Sequence, residues 1–285
     1  GAGWRWVFWA LAIWGGVMLL LAALVLPETH RRIVAARHAI RPVSIPPPFR
    51  LKDNNPLLDL ASARYPAIAL TMFHFAMVFG TYFTNSAAQP QAYETIYGLS
   101  QGTSGLCFLP SGVGCLIGST GGGYLTDVLL RRSRRRASGA AQAVPAEARL
   151  GAMSLGTAVF LCGVVVCGWL IEHRLPLAGV LVAQFFIGSG MAFTFQSLGG
   201  YLIDVYPTQP ARITGVQNFW RSAWAAAIVQ LSPTMLGSIG WGWTYTTMFL
   251  LTLLSLLLMQ VVVFRGGPLR ERFGPYAGAA AASAQ

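Results

Sequence analysis

Between Arg149 and Glu172 the chain reads LGAMSLGTAVFLCGVVVCGWLI, residues 150–171, without a charged side chain. A helix of about 20 apolar residues can cross the hydrocarbon core of a bilayer, because the core is about 30 Å thick and each residue rises about 1.5 Å. Only helices and closed barrels satisfy every backbone hydrogen bond inside lipid. The apolar residues here are continuous and do not alternate as in a barrel strand. Residues 150–171 therefore predict a transmembrane helix.

Six further uncharged runs of similar character lie before and after this one. Only 10% of the residues are charged and 54% are hydrophobic, whereas a soluble domain has about 25% charged residues. The chain is therefore predicted to be an all-α membrane protein with seven transmembrane helices. The other six predicted spans cover about 7–26, 65–86, 101–125, 176–203, a stretch that begins between Ile213 and Ser222 and ends near Gly237, and 244–264.

The basic residues predict the orientation of these spans. The net charge is +11, and all but two of the 20 Lys and Arg residues fall in segments that face one side. The positive-inside rule places that side in the cytoplasm and residue 1 outside, with Arg5 and Arg174 as the two exceptions. We assign the charge to topology and to anionic lipid headgroups, and expect no nucleic-acid partner. The predicted divisions are 1–26, a cytoplasmic connector 27–64, a six-span unit 65–264 and a cytoplasmic tail 265–285.

The residues that carry catalysis or bind metals in other proteins form no recognisable pattern here. The four cysteines are all predicted to lie inside spans, where we expect small apolar behaviour and no disulfide. We find no phosphate-binding loop and no nucleophile beside a base, so we expect neither an enzyme nor a cofactor or metal. The cysteines are Cys107, Cys115, Cys162 and Cys167.

Short motifs occur in a fixed order along the chain. They are GWRWVFW at 3–9, LPET at 26–29, YGLS at 97–100, GLCFLPSGVGC at 105–115, GYLTD at 123–127, ARL at 148–150 and LIDVYP at 202–207. In this order and spacing they resemble the major facilitator superfamily, and in particular its fungal twelve-span drug:proton antiporters. The resemblance implies that the seven spans correspond to the sixth to twelfth of such a transporter. We therefore expect one whole six-span half, the C-terminal one, plus one extra helix, without the first five spans.

The resemblance also implies a function. A complete relative would be a secondary active transporter that exports drug-like or polyamine-like organic solutes in exchange for protons, by rocking two halves about a central site. Its partners would be the lipid bilayer, the organic solute, protons and the five further spans, and its usual location is the plasma membrane. No Asp or Glu lies deep in a predicted span, so the coupling carboxylate is expected outside this chain. A non-transporting truncated remnant, or a membrane partner of another transporter half, is the alternative.

The family's loop signature is similar to residues 123–132. The resemblance implies that Asp127, with Gly123, Arg131 and Arg132, latches one conformation of the transport cycle against a helix N-terminus of the other half. Val128 and Leu130 depart from the family pattern, which has a basic residue and a glycine at these positions. A solvated carboxylate beside arginines that stop membrane insertion is the alternative interpretation.

Polar and aromatic residues within the spans are candidates for the transport path. His74 lies near the middle of a span, where an ionisable group is costly and suggests a role with protons or substrate. Arg221 lies about two turns inside its span if that span begins at Ile213, and otherwise at the interface. Aromatic walls with few polar anchors would suit organic cations, although ordinary helix packing explains many of these residues equally well. The candidates are His74, Tyr82, Asn85, Phe193, Gln196, Asn218 and Arg221.

Gly114, Gly118 and Gly122 recur at four-residue intervals in the third predicted span. Small residues at this spacing lie on one face of a helix and allow another helix to approach closely. The pattern therefore predicts a tight helix–helix contact.

Overall fold

The structure, a computed structural model, describes residues 4–25, 66–137, 150–205 and 210–273, and the predicted connector 27–64 lies outside these ranges. The described residues form helices and turns without a strand, as predicted. The helices are α1 Trp4–Val25, α2 Pro66–Thr95, α3 Gln101–Leu106, α4 Leu109–Ala137, α5 Leu150–Glu172, α6 Leu177–Val205 and α7 Pro210–Phe273.

α7 consists of two helical arms that meet at Gly240. This residue has φ 78° and ψ 178°, a backbone conformation that a side chain strongly disfavours. The first arm, 210–239, and the second arm, 241–273, correspond to the last two predicted spans. By length and composition, five helical stretches of the described chain could cross a membrane, and the last of them, Ile213–Gln260, contains parts of both arms.

Several helices extend beyond the predicted spans. α2 continues to Thr95 through Pro90, and the second arm of α7 continues past Arg265. The charged composition after the third predicted span predicts a loop for the arginines at 131–136, and this prediction is wrong, because α4 continues to Ala137. The physical reason is that apolar composition marks only the part of a helix in hydrocarbon, whereas arginine is a good helix former where the helix reaches water.

The third predicted span is divided into α3 and α4. Ser100 caps α3 by accepting a hydrogen bond from the backbone N–H of Thr103 at 3.4 Å. A turn at Cys107 and Phe108 follows, and Pro110 then occupies the first turn of α4, where its missing N–H costs nothing. Cys107 therefore lies in a turn, within the stretch Gln101–Arg132 that could cross a membrane. All four cysteines are free.

The described chain divides into two compact units. The first, residues 1–55, contains α1, whose side chains are almost all exposed, as suits a helix that meets lipid. The second, residues 56–285, contains α2 to α7, in which α2 packs on α7, α4 on α6, and α5 on both α6 and α7. Its core has two clusters, one around Met72, Met153, Leu198 and Met259, and one around Val78, Tyr93, Phe160, Ile187 and Tyr245.

The glycines of α4 lie against the backbone of α6. A Cβ atom added to Gly118 would overlap the carbonyl of Ser189, and one added to Gly122 would meet the Cα atom of Phe193 at 2.9 Å. Gly114 similarly faces the backbone of Phe185. The predicted tight helix–helix contact is therefore confirmed, and it joins α4 to α6.

Glu172, the last residue of α5, fixes the junction between the arms of α7. Its carboxylate Oε2 accepts hydrogen bonds from the backbone N–H groups of Trp241 at 2.7 Å and Gly242 at 3.1 Å. These N–H groups have no partner within the helix because they begin the second arm, and a negative charge there is favourable. The glycines and aromatic residues from Gly240 to Tyr245 predict a short interfacial turn. The aromatic residues after Gly240 instead form the first turn of a helix.

We predict that Gly118→Ala lowers the thermal unfolding midpoint of the purified chain in detergent, followed by circular dichroism. The added methyl group forces α4 away from α6, and such overpacking costs about 1–3 kcal/mol. Gly121→Ala is the matched control on the same helix, because a Cβ atom there has nothing within 4 Å. The control should be neutral or slightly stabilising, since alanine favours a helix. An equal midpoint for Gly118→Ala and the control would contradict this account.

Candidate functional site

His74 lies in the interior of the bundle, with no solvent-exposed surface. Its Nδ1 is 2.8 Å from the hydroxyl of Ser255 on the second arm of α7, and its Nε2 is 3.2 Å from the hydroxyl of Thr157 on α5. Hydroxyl groups both donate and accept, so they satisfy either tautomer of the ring. Thr157 also lies 3.2 Å from the hydroxyl of Thr194 on α6. His74 thus joins α2 to α5 and to the second arm of α7.

Asn85, eleven residues or about three turns further along α2, is the centre of a second buried cluster. Its side-chain amide exchanges hydrogen bonds with Gln184 on α6 at 3.1 and 3.2 Å. Its Oδ1 also accepts from the hydroxyl of Tyr245, on α7, at 3.0 Å. Gln89 donates to the same oxygen at 3.3 Å and accepts from Tyr93 at 3.1 Å. The Asn85 amide is therefore hydrogen-bonded inside the core to side chains of α6 and α7.

Arg221 is the charged side chain that the structure places beside an aromatic cluster. Its guanidinium carbon Cζ lies 4.4 Å from the ring centre of Phe79, 5.6 Å from that of Phe195 and 5.8 Å from that of Phe75. Ring faces attract a cation within about 6 Å. Its Nε is buried and has no hydrogen-bond partner. α7 begins at Pro210, so Arg221 lies eleven residues after the start of the helix. Its place relative to the membrane, about two turns inside the span or at the interface, stays a prediction.

The rings near Arg221 form a row that we call the aromatic wall. It consists of Phe75, Phe79 and Phe83 on α2 and of Phe195 on α6. Phe75 and Phe195 have ring centres 4.0 Å apart, and those of Phe79 and Phe83 are 4.4 Å apart. Phe83 is 42% exposed, whereas Phe75 is buried. The wall is therefore closed at one end and open at the other. Tyr82 adjoins the open end and has its hydroxyl 3.5 Å from that of Ser111 on α4.

The residues of the predicted latch lie near the end of α4. Gly123, Asp127 and Arg131 are four residues apart and share one face of this helix, and the Asp and Arg side chains are exposed. Arg132 is also exposed. The same end of α4 is held to α6 by a hydrogen bond of 3.0 Å between Thr126 and Ser197. The latch role itself stays a prediction.

The remaining candidates lie in different environments. Phe193 packs at the crossing of α4, α5 and α6, where its ring meets Gly122 and Gly156. Gln196 and Asn218 are exposed. The structure thus places Arg221 against the aromatic wall. Tyr82 contacts Phe83 of that wall and also packs against the core cluster that contains Tyr245.

Two residues that contact Arg221 or Asn85 have no clear signal in the sequence. Phe79 is the ring nearest to Arg221, yet it is one of many phenylalanines in apolar helices. Tyr245 would be assigned to the membrane interface by its aromatic neighbours, although it is buried and bonded to Asn85. The only signal for the buried position of Tyr245 is indirect: polar residues recur along α2, and they require hydrogen-bond partners on other helices.

The opposite end of the bundle is held by contacts between turns. Tyr97, in the turn after α2, donates a hydrogen bond of 2.8 Å to the backbone carbonyl of Leu175, in the turn before α6. Burial raises the pKa of the Tyr97 phenol above its ordinary value. The hydroxyl therefore keeps the proton that it donates at neutral pH, and the two turns stay joined.

Comparison with known proteins connects this arrangement to a family. Residues 1–226 match the sequence profile of the Major Facilitator Superfamily. The chain is 29% identical over 94% of its length to the MFS transporter cpaT of Aspergillus oryzae, of which it covers 56%. It is 26% identical over 93% of its length to Dityrosine transporter 1 of Saccharomyces cerevisiae, of which it covers 53%. The chain thus spans about half the length of the curated relatives that it matches.

We predict that Tyr245→Phe lowers the free energy of unfolding by about 1 kcal/mol, because it removes the hydroxyl that donates to Asn85 and leaves the ring in place. Tyr124→Phe is the control, since Tyr124 is 74% exposed on α4. Denaturant titration of both variants in detergent micelles, followed by circular dichroism, measures the difference. Equal loss in the two variants would show that the Asn85 cluster contributes nothing to stability.

Proposed function

The chain belongs to the Major Facilitator Superfamily, and we propose that it forms the six-helix half of a secondary active transporter for drug-like organic solutes, with one helix of the other half. The observation that carries this proposal is the part-open aromatic wall with Arg221 beside it. Most polar residues of α2 are closed inside the bundle, so this wall is where a solute can make both apolar and charged contacts. Transporters of this family bind solutes near the middle of the membrane, between two halves.

Proton coupling is part of the proposal and needs a group outside the described residues. The carboxylates whose side chains the structure describes are Glu94, Asp127, Glu172 and Asp204, and all four are exposed near helix ends. A coupling carboxylate is usually buried, because burial moves its pKa towards ambient pH. We therefore propose that the second half supplies it. The name of one relative refers to dityrosine, which supports a small organic solute as cargo. Polyamine-like cargo stays a prediction.

The location and orientation are also proposals. The basic end of α4, with Arg131 and Arg132, is placed in the cytoplasm by the positive-inside rule. Residue 1 is then outside and residue 285 inside, in the plasma membrane. In this orientation Asp127 lies at the cytoplasmic end of its helix, where the rocking of the two halves would open and close a latch.

A non-transporting partner of another transporter half is the second candidate. The observation in its favour is that the chain spans about half the length of its relatives. A solitary half can bind solutes without moving them across the membrane, because alternating access requires two bundles that rock against each other.

We predict that yeast cells without their own drug exporters, expressing the open reading frame that contains this chain, export fluorescein or rhodamine 6G until a protonophore is added. Asp127→Asn should slow export about three- to ten-fold, since it removes a charge that favours a helix N-terminus by about 1 kcal/mol. Glu94→Gln, at the exposed end of α2, is the matched control and should export at the normal rate.

The same cells separate the two candidates. The 285-residue chain expressed alone should export neither dye against a gradient. Uphill export by this chain would show that one half with a single further helix is sufficient. Failure of the complete reading frame to export either dye, with normal amounts in the membrane, would favour the non-transporting partner.

We also predict that epitope tags at residues 1 and 285 report opposite sides of the membrane, because seven spans place the two ends on different faces. The tag at residue 285 should need permeabilised cells for antibody binding, and the tag at residue 1 should not. Labelling of both tags on the same side would require an even number of spans.

A further inference from the structure

Arg221 carries a positive charge into an apolar helix without a partner of opposite charge. Within the described part of the chain, no carboxylate and no hydrogen-bond acceptor contacts its guanidinium, and its buried Nε lacks any partner. Arg221 is eight positions after Ile213, where the apolar stretch of this helix begins, about 12 Å along the helix axis. An unpaired charge at such a depth is expensive, and arginines inside membrane helices usually pair with another group.

The three phenylalanine rings satisfy only part of this need. A guanidinium is planar, and ring faces within about 6 Å stabilise its charge. They accept no conventional hydrogen bonds from its N–H groups, which lie in the guanidinium plane. A carboxylate can accept two parallel bonds from that plane, and this bidentate pair is among the strongest hydrogen-bonded contacts. The arrangement therefore holds a guanidinium ready for an anion.

The surroundings define the rest of the ligand. The aromatic wall opens at Phe83, which is 42% exposed, and closes at Phe75. An aromatic ligand can pack against Phe83 at the open end, because offset and edge-to-face pairs of aromatic rings are favourable. A cationic ligand at the same place would meet the charge of Arg221, and repulsion between like charges is strong where water is excluded.

We propose that Arg221 and the aromatic wall form a binding site for amphipathic aromatic carboxylates, so that the cargo of this transporter half is an organic anion. This inference rests on the proposed transport function and specifies its substrate class. It differs from the expectation of organic cations, which considered the aromatic residues without the guanidinium that lies over them.

Three naphthalene probes of nearly equal shape test the proposal: 1-naphthoate, 1-naphthylmethanol and 1-naphthylmethylammonium. Their binding to the chain is measured by equilibrium dialysis in dodecyl maltoside, a non-ionic detergent without phosphate, and empty micelles correct for partition. Wild-type protein should bind the naphthoate at least about ten-fold more tightly than the ammonium, because only the anion forms the charge-assisted pair. A wild-type chain that prefers the ammonium, or that binds no naphthoate, overturns the proposal.

Variants locate the preference. Arg221→Gln should remove the preference for naphthoate and still bind the neutral naphthylmethanol, which needs only the rings. Arg221→Lys should keep part of the preference, since it keeps the charge but loses bidentate geometry. Arg174→Gln is the matched control, because it removes the same charge from the exposed turn after α5. An unchanged preference in Arg221→Gln overturns the proposal, and so does equal loss of all three probes, which would assign Arg221 a structural role.

Binding in micelles requires no transport, so the two proposals can fail separately. Naphthoate binding that depends on Arg221, in a protein that exports nothing, supports the anion site and rejects transport. Export of rhodamine 6G that Arg221→Gln leaves unchanged, without any preference for naphthoate, supports transport and rejects the anion site.

Discussion

The exclusion of water from the interior of a membrane is the constraint on which this structure depends. A polar side chain there must find its partner within the protein, because lipid offers none. α2 shows the consequence clearly. His74 is bonded to Ser255 and Thr157, and Asn85 to Gln184 and Tyr245. These contacts reach three other helices, so α2 is stable in lipid only as a member of the bundle.

Close approach of helices is the second requirement, because apolar side chains gain little by leaving lipid for one another. The glycines of α4 let its backbone contact that of α6, and the hydrogen bond between Thr126 and Ser197 holds the end of the pair. The bond from Glu172 to the start of the second arm of α7 serves the same purpose at the opposite face. These contacts make the six-helix unit rigid, and a rigid half is what a rocking mechanism needs.

The sequence was sufficient for the all-helical class and for the order of the long helices, because hydrocarbon selects long apolar segments. It was also sufficient for the glycine contact, which has a simple spacing. It failed at helix ends such as Ala137, since helices continue into water where composition gives no limit. It also could not identify the hydrogen-bond partners of His74, because Ser255 lies 181 residues away and has no signal of its own. Partners this distant become visible only when the helices are packed.

His74 and Arg221 illustrate why burial alone does not identify a functional residue. Both are ionisable groups within apolar helices, but the ring nitrogens of His74 each face a hydroxyl, so its environment is complete. Arg221 instead has aromatic rings on its face and an unpaired Nε. It does not simply extend towards the headgroups, as an isolated membrane arginine does, because the ring of Phe79 holds it at 4.4 Å. The rings stabilise the charge of Arg221, and an anion bound there would form a charge-assisted pair with its guanidinium. The unpaired Nε of Arg221 is therefore the reason that we propose a ligand site at Arg221 and not at His74.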